Sequence, residues 1–379
     1  SGSGNQDARA GHALLGAVTA DAPDVLTPKQ QQIYAQVSFL LGEYRAVQDA
    51  LDAYPAIPPE VSASLRTDLL NPTLGDGRRR AEWLERLAAP FESDGLAPIT
   101  VAEGEVTLFD GLRSTSPPDV DGPLVTVIMP CYRPDEGLLT SVGSILAQSH
   151  RNLEIILVDD ASGPAFEELF EQVSALDPRI RLLRMERNGG TYRCRNAALE
   201  IARGDFVTVQ DADDWSHPSR LAAQVRALRK QPSASASRSD AIRATDDLTH
   251  QWVGYSPRRR NASSLMFRRS VVERIGPFDL VRKSGDSEYH ERLACLVGPV
   301  LDVTKPLAIT RLRAGTLSRS DFSFQWMAPD RHFYRSAYRS WHRTLANHTR
   351  GPVDGATGRA FPAPPAMLGG LPGSDRPRR

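Results

Sequence analysis

Val125–Ser162 reads VTVIMPCYRPDEGLLTSVGSILAQSHRNLEIILVDDAS. An apolar, β-branched run, Leu124–Met129, gives way to a helical stretch, Leu138–Gln148. A second apolar run, Leu153–Val158, then stops on two carboxylates, Asp159 and Asp160. Short apolar runs alternating with helical periodicity are the signature of a βα unit. The pattern continues downstream. Strands are expected at Ile180–Met185 and Asp205–Gln210, with helices near Ala165–Leu176, over Thr191–Arg203 and over Pro218–Lys230. Four successive βα units predict an α/β fold, with a mostly parallel central sheet and helices on both faces. Ligands of such sheets bind at the carboxyl ends of the strands.

Upstream of this block the pattern is helical. Thr27-Pro28 is a helix start, with Thr27 as cap and Pro28 in the first turn. Ile33, Val37, Leu40 and Leu41 form an apolar stripe that Tyr44, Val47 and Leu51 continue beyond Gly42. Trp83, Leu84 and Leu87 mark another short helix. Residues 27–112 are therefore expected to form an N-terminal helical module, and 113–123, rich in proline and small polar residues, a linker. Residues 124–320 form the main domain. Residues 1–26 read as a tag scar and flexible segment, without the charged and apolar regions of a signal peptide. Downstream, 321–350 is expected to be an amphipathic C-terminal helix, and the Gly- and Pro-rich 351–379 a disordered tail.

The 379 residues, 40% of them hydrophobic, exclude a fibrous repeat, a disulfide mini-protein and a wholly disordered chain. There is no apolar run of about 18 residues, the length a membrane span needs. Cys131, Cys194 and Cys295 are scattered and odd in number, which argues against a disulfide framework or zinc ribbon and makes a reducing cytoplasm the expected setting. The 46 basic and 46 acidic residues cancel only in sum. Residues 1–120 carry nine basic and 17 acidic side chains, and the rest of the chain carries 37 and 29. The basic body predicts an anionic ligand; the alternative is that the two parts simply attract one another.

The candidate site residues stand at the ends of the expected strands. Asp159 and Asp160 end the second, and Gln210-Asp211-Ala212-Asp213-Asp214 ends the fourth. Carboxylates gathered at one rim repel unless a cation offsets them, and oxygen ligands suit Mg²⁺ or Mn²⁺. The alternative is helix capping, for which Asp214 or Ser216 ahead of Pro218 is well placed. Asn188-Gly189-Gly190-Thr191, with Arg193, Arg195 and Asn196 behind it, suits a tight turn into a helix whose first amides face an anion. Asp286 and His290 lie four apart, on one helical face; Asp286 is a candidate general base, or else a helix cap.

Together these stretches resemble family-2 glycosyltransferases of the GT-A fold, in their bacterial, inverting, hexosyltransferase form. Residues 125–162 resemble the family's opening, NGGTYRCRN (188–196) its Asn-x-Gly and Arg-Asn element, QDADD (210–214) its Asp-x-Asp segment, and GDSEYHERL (285–293) its acceptor-side segment. The resemblance spans roughly 122–320. It implies that Pro130 and Tyr132 line the base pocket. Asp159, ahead of Asp160, would bind base or ribose, and Asn188, Gly189 and Arg195 would sit beside the nucleotide. Asp211 would touch ribose or a metal-bound water, and Asp213 would ligate Mn²⁺ or Mg²⁺ directly. Asp286 would deprotonate the acceptor hydroxyl, with Glu288 orienting the acceptor or supporting its helix. The sequence departs from the family where a His-containing segment is expected: Thr310–Ser318 puts Arg313 at the histidine position. Arginine cannot ligate a cation but can bind the donor diphosphate.

The activity implied is transfer of a sugar from a nucleoside-diphosphate sugar, UDP-sugar favoured, to a hydroxyl by a metal-assisted single displacement. The acceptor would be a carbohydrate, a lipid-linked glycan or a protein, in polysaccharide or glycoconjugate synthesis. A degenerate, non-catalytic nucleotide-sugar-binding protein is the alternative. A sugar nucleotidyltransferase fits less well, because Pro130–Pro134 is no Gly-rich phosphate loop. Nucleic acid is not an expected partner; a homo-oligomer is left open. Tyr334, Tyr338, Trp341 and Leu345 form one face of the 321–350 helix, and Arg331, Arg335, Arg339 and Arg343 an adjacent stripe. That pattern suits either peripheral contact with the inner face of a membrane or an aromatic face turned to the core beside solvated arginines.

Overall fold

The computed structural model describes residues 2–21, 25–75, 77–313, 322–323, 326–347 and 359–368. In chain order, helices α1 (Gly2–Asp21), α2 (Pro28–Leu40), α3 (Tyr44–Ala53), α4 (Pro59–Asp68) and α5 (Arg80–Glu92) come first, followed by a small ribbon of β1 (Ile99–Val101) and β2 (Leu112–Ser114). Then follow β3 (Val125–Cys131), α6 (Gly137–Leu146), β4 (Leu153–Asp159), α7 (Glu167–Ser174), β5 (Ile180–Arg184), α8 (Thr191–Ile201) and β6 (Phe206–Val209). The chain continues through β7 (Trp215–Ser216), α9 (Arg220–Lys230), β8 (Ala236–Ala244), β9 (Arg258–Arg260), β10 (Met266–Arg268), α10 (Val272–Ile275), α11 (Gly285–Leu296) and β11 (Val300–Arg311). It ends in β12 (Phe322–Ser323), β13 (Trp326–Met327), α12 (Pro329–Asn347) and α13 (Pro365–Leu368).

The fully buried runs of β3 and β4 are central strands covered on both faces. The sheet order is β5-β4-β3-β6-β10-β8-β11-β7, with β9 on β8. From β5 to β6 the strands are parallel, as the βα alternation predicts. Beyond β6, antiparallel β10 enters the sheet and the second half is mixed. β8, β9 and β10 are runs joined by turns rather than by α-helices, so they carry no crossover signal. The order reverses about β3: β4 and β5 extend one way and β6 the other. That reversal opens a crevice at the carboxyl ends of β3, β4 and β6.

One core lies on each face of the sheet. A third joins Trp83, Phe91 and Phe109 to Trp215, Leu307 and Ile309, so the N-terminal part shares a core with the sheet. Polar contacts add to this junction. His250 bonds Asp68 at 2.6 Å, Lys305 donates to the Asp94 carbonyl at 2.6 Å, and Arg258 pairs with Asp94 at 2.8 Å. Arg311 pairs with Asp110 at 2.8 Å. Part of the charge asymmetry is thus attraction between the two parts of the chain.

Two readings of the ends need correction, and a third is decided between its alternatives. Residues 1–26 hold α1, whose His12 ring stacks on Tyr34 at 5.1 Å and bonds Ser38 at 3.0 Å. The 351–379 stretch is not featureless: Phe361 and Met367 are buried in the core under α12. Residues 351–358 and 369–379 lie outside the described set. The aromatic face of α12 is turned inward, with Tyr334 and Tyr338 buried and Trp341 packed beside them. That face is occupied by the protein's own core, as the alternative to membrane contact had it. No described helix is long and apolar enough to cross a membrane.

Candidate active site

The crevice is held open by turns at the strand ends. After β4, the Asp159 carboxylate accepts the Ser162 amide at 2.8 Å and fixes its own turn. The neighbouring Asp160 carboxylate, nearly fully buried, accepts the Gly189 and Gly190 amides at 2.7 and 2.8 Å. The Asn188 side chain donates to the Asp160 carbonyl at 3.2 Å. Gly190 stands at φ 79°, a left-handed conformation that glycine adopts without strain, and the chain turns there into α8. Asp160 therefore clamps the glycine turn, while Asp159 fixes the turn that follows its own strand. At the end of β3, Pro130 is buried in the strand, while Tyr132 is exposed with the Arg133 guanidinium 5.0 Å over its ring.

The first two turns of α8 carry the centre of the site. Arg195 is almost wholly buried and donates to Asp211 at 3.3 Å. Its guanidinium lies 5.1 Å over the Tyr192 ring and 5.7 Å over Phe278. Its Nε and Nη1 are buried and meet no acceptor among the described residues. Unpaired buried donors are costly, and a bound anion or nucleotide satisfies them. The other Asp211 oxygen accepts the Ser263 hydroxyl. Both Asp211 oxygens are thus engaged by protein, and Asp213 is the carboxylate left for a ligand.

Burial and the charge of Asp211 push the Asp213 carboxyl up to about 6, against the pull of Arg313 and Arg311. Asp214 is buried and raised well above the usual range by burial and by Asp213 and Asp211; its Oδ1 accepts the Arg311 amide at 2.9 Å. A cap for α9 is therefore not its task, nor that of Ser216, whose hydroxyl donates to Gln210 at 2.9 Å and accepts from Arg220 at 2.8 Å. Three neighbouring carboxylates with two held above their ordinary range form a site short of positive charge. Hard oxygen donors in that state fit Mg²⁺ or Mn²⁺. No cluster of three or more metal-ligating side chains exists among the described residues. Such an ion would be held by one or two carboxylates and completed by substrate phosphate and water, the usual Mg²⁺ arrangement.

On the far side of Tyr192 stands Asp286, in the first turn of α11. The Tyr192 hydroxyl donates to its Oδ1 at 3.1 Å, and the Ser287 amide does so at 2.8 Å. Burial, then the charge of Asp286, drives the Tyr192 hydroxyl pKa upward, so it stays protonated and donates. A Cβ on Gly285 would meet that ring at 2.9 Å, so only glycine lets α11 approach so closely.

Two expected residues are placed differently. Glu288 is fully buried, pairing with Arg292 at 2.8 Å and His342 at 2.8 Å. Two residues beyond Asp286, it faces the core and ties α11 to α12 rather than orienting an acceptor. Arg313 pairs with Asp135 at 2.5 Å and Asp246 at 3.4 Å, and its charge opposes the rise of the Asp213 carboxyl without cancelling it. The rest of its segment, 314–318, lies outside the described residues. Sequence reasoning did not single out Tyr192, Ser263, Asp110 or Asp246. Tyr192 sits inside the quoted NGGTYRCRN stretch, but nothing local marks it as a link between two sides of a crevice.

Residues 126–289 match the family model described as Glycosyl transferase family 2. This stretch is a family-2 glycosyltransferase domain. Glycosyltransferase GlyG of Streptococcus pneumoniae is 24% identical over 228 residues, which is 54% of this chain and 75% of that protein. The putative teichuronic acid biosynthesis glycosyltransferase TuaG of Bacillus subtilis is 34% identical over 124 residues, or 33% of this chain and 49% of its own length. Other curated relatives align over 18% to 41% of their length. Among solved structures, a mannosyltransferase of Pyrobaculum calidifontis, in complex with GDP-Man and Mn²⁺, overlays with a TM-score of 0.44 at 17% identity. The overlay covers 76% of this chain and 77% of that one. Both strand-end carboxylate turns, the glycine turn and Asp286 fall inside the glycosyltransferase domain. β11, with Arg311 and Arg313, lies beyond it.

Proposed function

We propose that the chain transfers a sugar from a nucleoside-diphosphate sugar, UDP-sugar favoured, to an acceptor hydroxyl with inversion, in polysaccharide or glycoconjugate synthesis. The observation that carries this reading is the link Asp211–Arg195–Tyr192–Asp286, which joins a carboxylate pocket short of cations to a carboxylate poised as a base. The nucleotide would lie along Pro130, Tyr132, Asp159 and the Asn188-Gly189 turn, its diphosphate reaching the unpaired donors of Arg195 and the guanidinium of Arg313.

Asp213, backed by Asp211, would hold Mn²⁺ or Mg²⁺, which when bound supplies charge stabilisation for the departing diphosphate. Asp286 takes the proton of the acceptor hydroxyl as it attacks the anomeric carbon; the C–O bond to the diphosphate breaks with its electrons on the leaving oxygen. Tyr192 keeps Asp286 oriented by donating to one oxygen and leaves the other for the proton. The described crevice offers one positioned base and no second nucleophile, which suits a single displacement.

The test is a thermal-shift screen of nucleoside diphosphates and nucleotide sugars with and without Mn²⁺, followed by donor turnover. Wild type should be stabilised by one base class with Mn²⁺ and should consume the matching donor. Asp286→Asn should retain the stabilisation and lose turnover by at least about 100-fold, the usual worth of a general base. Stabilisation without turnover under any acceptor condition would favour the non-catalytic binding reading.

A further inference from the structure

A groove of about 690 Å³ opens beside Asp286, between α11 and α12. Its volume is that of a ligand site. Four guanidinium groups line it, those of Arg238, Arg331, Arg335 and Arg339, against two carboxylates, Asp286 and Glu291. Glu291 already acts there as a built-in anion: Arg339 grips it at 2.6 and 3.0 Å and Arg335 reaches it at 3.4 Å. The Arg335 Nε is buried and meets no acceptor among the described residues. Arg331, Arg335 and Arg339 recur every fourth residue, so they run along the groove for about 12 Å at 1.5 Å per residue.

The groove is poor in what neutral sugars use. Its aromatic side chains, Tyr334 and Tyr338, are buried, and their hydroxyls are spent on Asp279 at 2.7 Å and Glu291 at 3.0 Å. Neither tyrosine ring is left for a sugar to stack upon. Planar forks in a row match the oxygens of phosphate groups, which they bind bidentately.

Resting on the glycosyl-transfer reading of Asp286, we propose that this groove binds the acceptor and that the acceptor carries phosphate, held by Arg331, Arg335 and Arg339 with its hydroxyl delivered to Asp286. The arginine stripe of α12 is thus a substrate-binding surface turned along the protein rather than a face laid on a membrane.

The experiment follows glycerol 1-phosphate binding by isothermal titration calorimetry, with glycerol and acetate as neutral and carboxylate probes. UDP and Mn²⁺ are present at saturation to fill the donor side. The phosphate probe should bind and the other two should not. Arg335→Gln combined with Arg331→Gln should weaken it at least fivefold. Glu291→Gln, which removes the built-in anion, should tighten it about threefold or more although it loosens α12; a merely structural role for this cluster predicts no gain. UDP binding, followed in parallel, should be unchanged in all variants. Absence of phosphate binding, equal binding of acetate, or variants that leave the phosphate affinity unmoved would overturn the proposal. If wild type fails to bind any nucleoside diphosphate, the glycosyl-transfer reading fails instead, and the phosphate arm still reports on the groove alone.

Discussion

Asp110→Ala should destabilise the protein far more than a carboxylate at residue 110 would suggest, and should loosen the diphosphate side of the site. The Asp110 carboxylate is 12% exposed and meets the wholly buried guanidinium of Arg311 at 2.8 and 3.1 Å. It also accepts the Thr107 hydroxyl at 2.6 Å and the Thr140 hydroxyl at 3.0 Å. Removing one partner of a buried pair leaves a buried charge and costs ~3–5 kcal/mol. Here Asp246, 42% exposed, still holds the Arg311 Nε, so the lower end applies, about 3 kcal/mol. The Arg311 amide also anchors Asp214, so the Asp211–Asp214 turn should loosen and Mn²⁺-dependent nucleoside diphosphate binding should weaken. Urea unfolding at unchanged m value reads the first effect, and a thermal-shift titration the second. Glu105→Ala is the comparison. Its pair with Arg113 is 2.7 Å long but half-exposed and should be worth less than about 1 kcal/mol. A loss in Asp110→Ala no larger than that in Glu105→Ala would refute the reasoning.

Gly285→Ala should push the Tyr192 ring away from Asp286 and lower kcat by about tenfold or more with little change in donor affinity, measured by steady-state kinetics beside calorimetric UDP binding. Glu154 is buried, which pushes its carboxyl up. Hydrogen bonds from Thr126 at 2.7 Å and from the Arg203 amide at 2.7 Å, with the Arg203 side chain, outweigh that and hold it below the usual 4.5. A depressed carboxyl contributes stability above its unfolded value and loses it as pH falls through the folded one. Wild type should therefore lose stability on acidification below about pH 4.5, and Glu154→Gln should start less stable and show a shallower acid limb in urea unfolding at stepped pH. Arg313→Ala should weaken nucleoside diphosphate binding several-fold and raise the Asp213 carboxyl further; unchanged affinity by calorimetry would remove Arg313 from the donor side.

The parallel half of the sheet was legible because β3, β4 and β6 are short apolar runs set between helical patterns, each ending on polar residues that the fold brings to one rim. The carboxylates of Asp159, Asp160, Asp211 and Asp213 could be located on that logic alone. Their division of labour could not. Whether Asp160 faces a nucleotide or clamps Gly189 and Gly190 depends on where a loop 29 residues away comes to lie. Glu288 shows the same limit on a helix. Two residues from Asp286, it points about 200° around the axis into the core, where His342 and Arg292 await it. The stripe of α12 was visible as a periodicity, but not which neighbour its faces meet. The helix at Gly2–Asp21 escaped notice because its glycines and weak apolar pattern give little local signal, and contact with Tyr34 supplies what propensity lacks.

The Arg311 lock has a consequence for the newborn chain. Asp110 and Arg311 are separated by 201 positions, so this clasp cannot close while the ribosome is still extending the stretch between them. The Asp211–Asp214 turn emerges some hundred residues before the amide that steadies it. A nascent chain long enough to contain the whole family-2 domain therefore still lacks a firm diphosphate edge. If the proposed donor site is right, the threshold for donor capture is set by β11 and not by the last residue of that domain, and donor binding is a late event in biosynthesis.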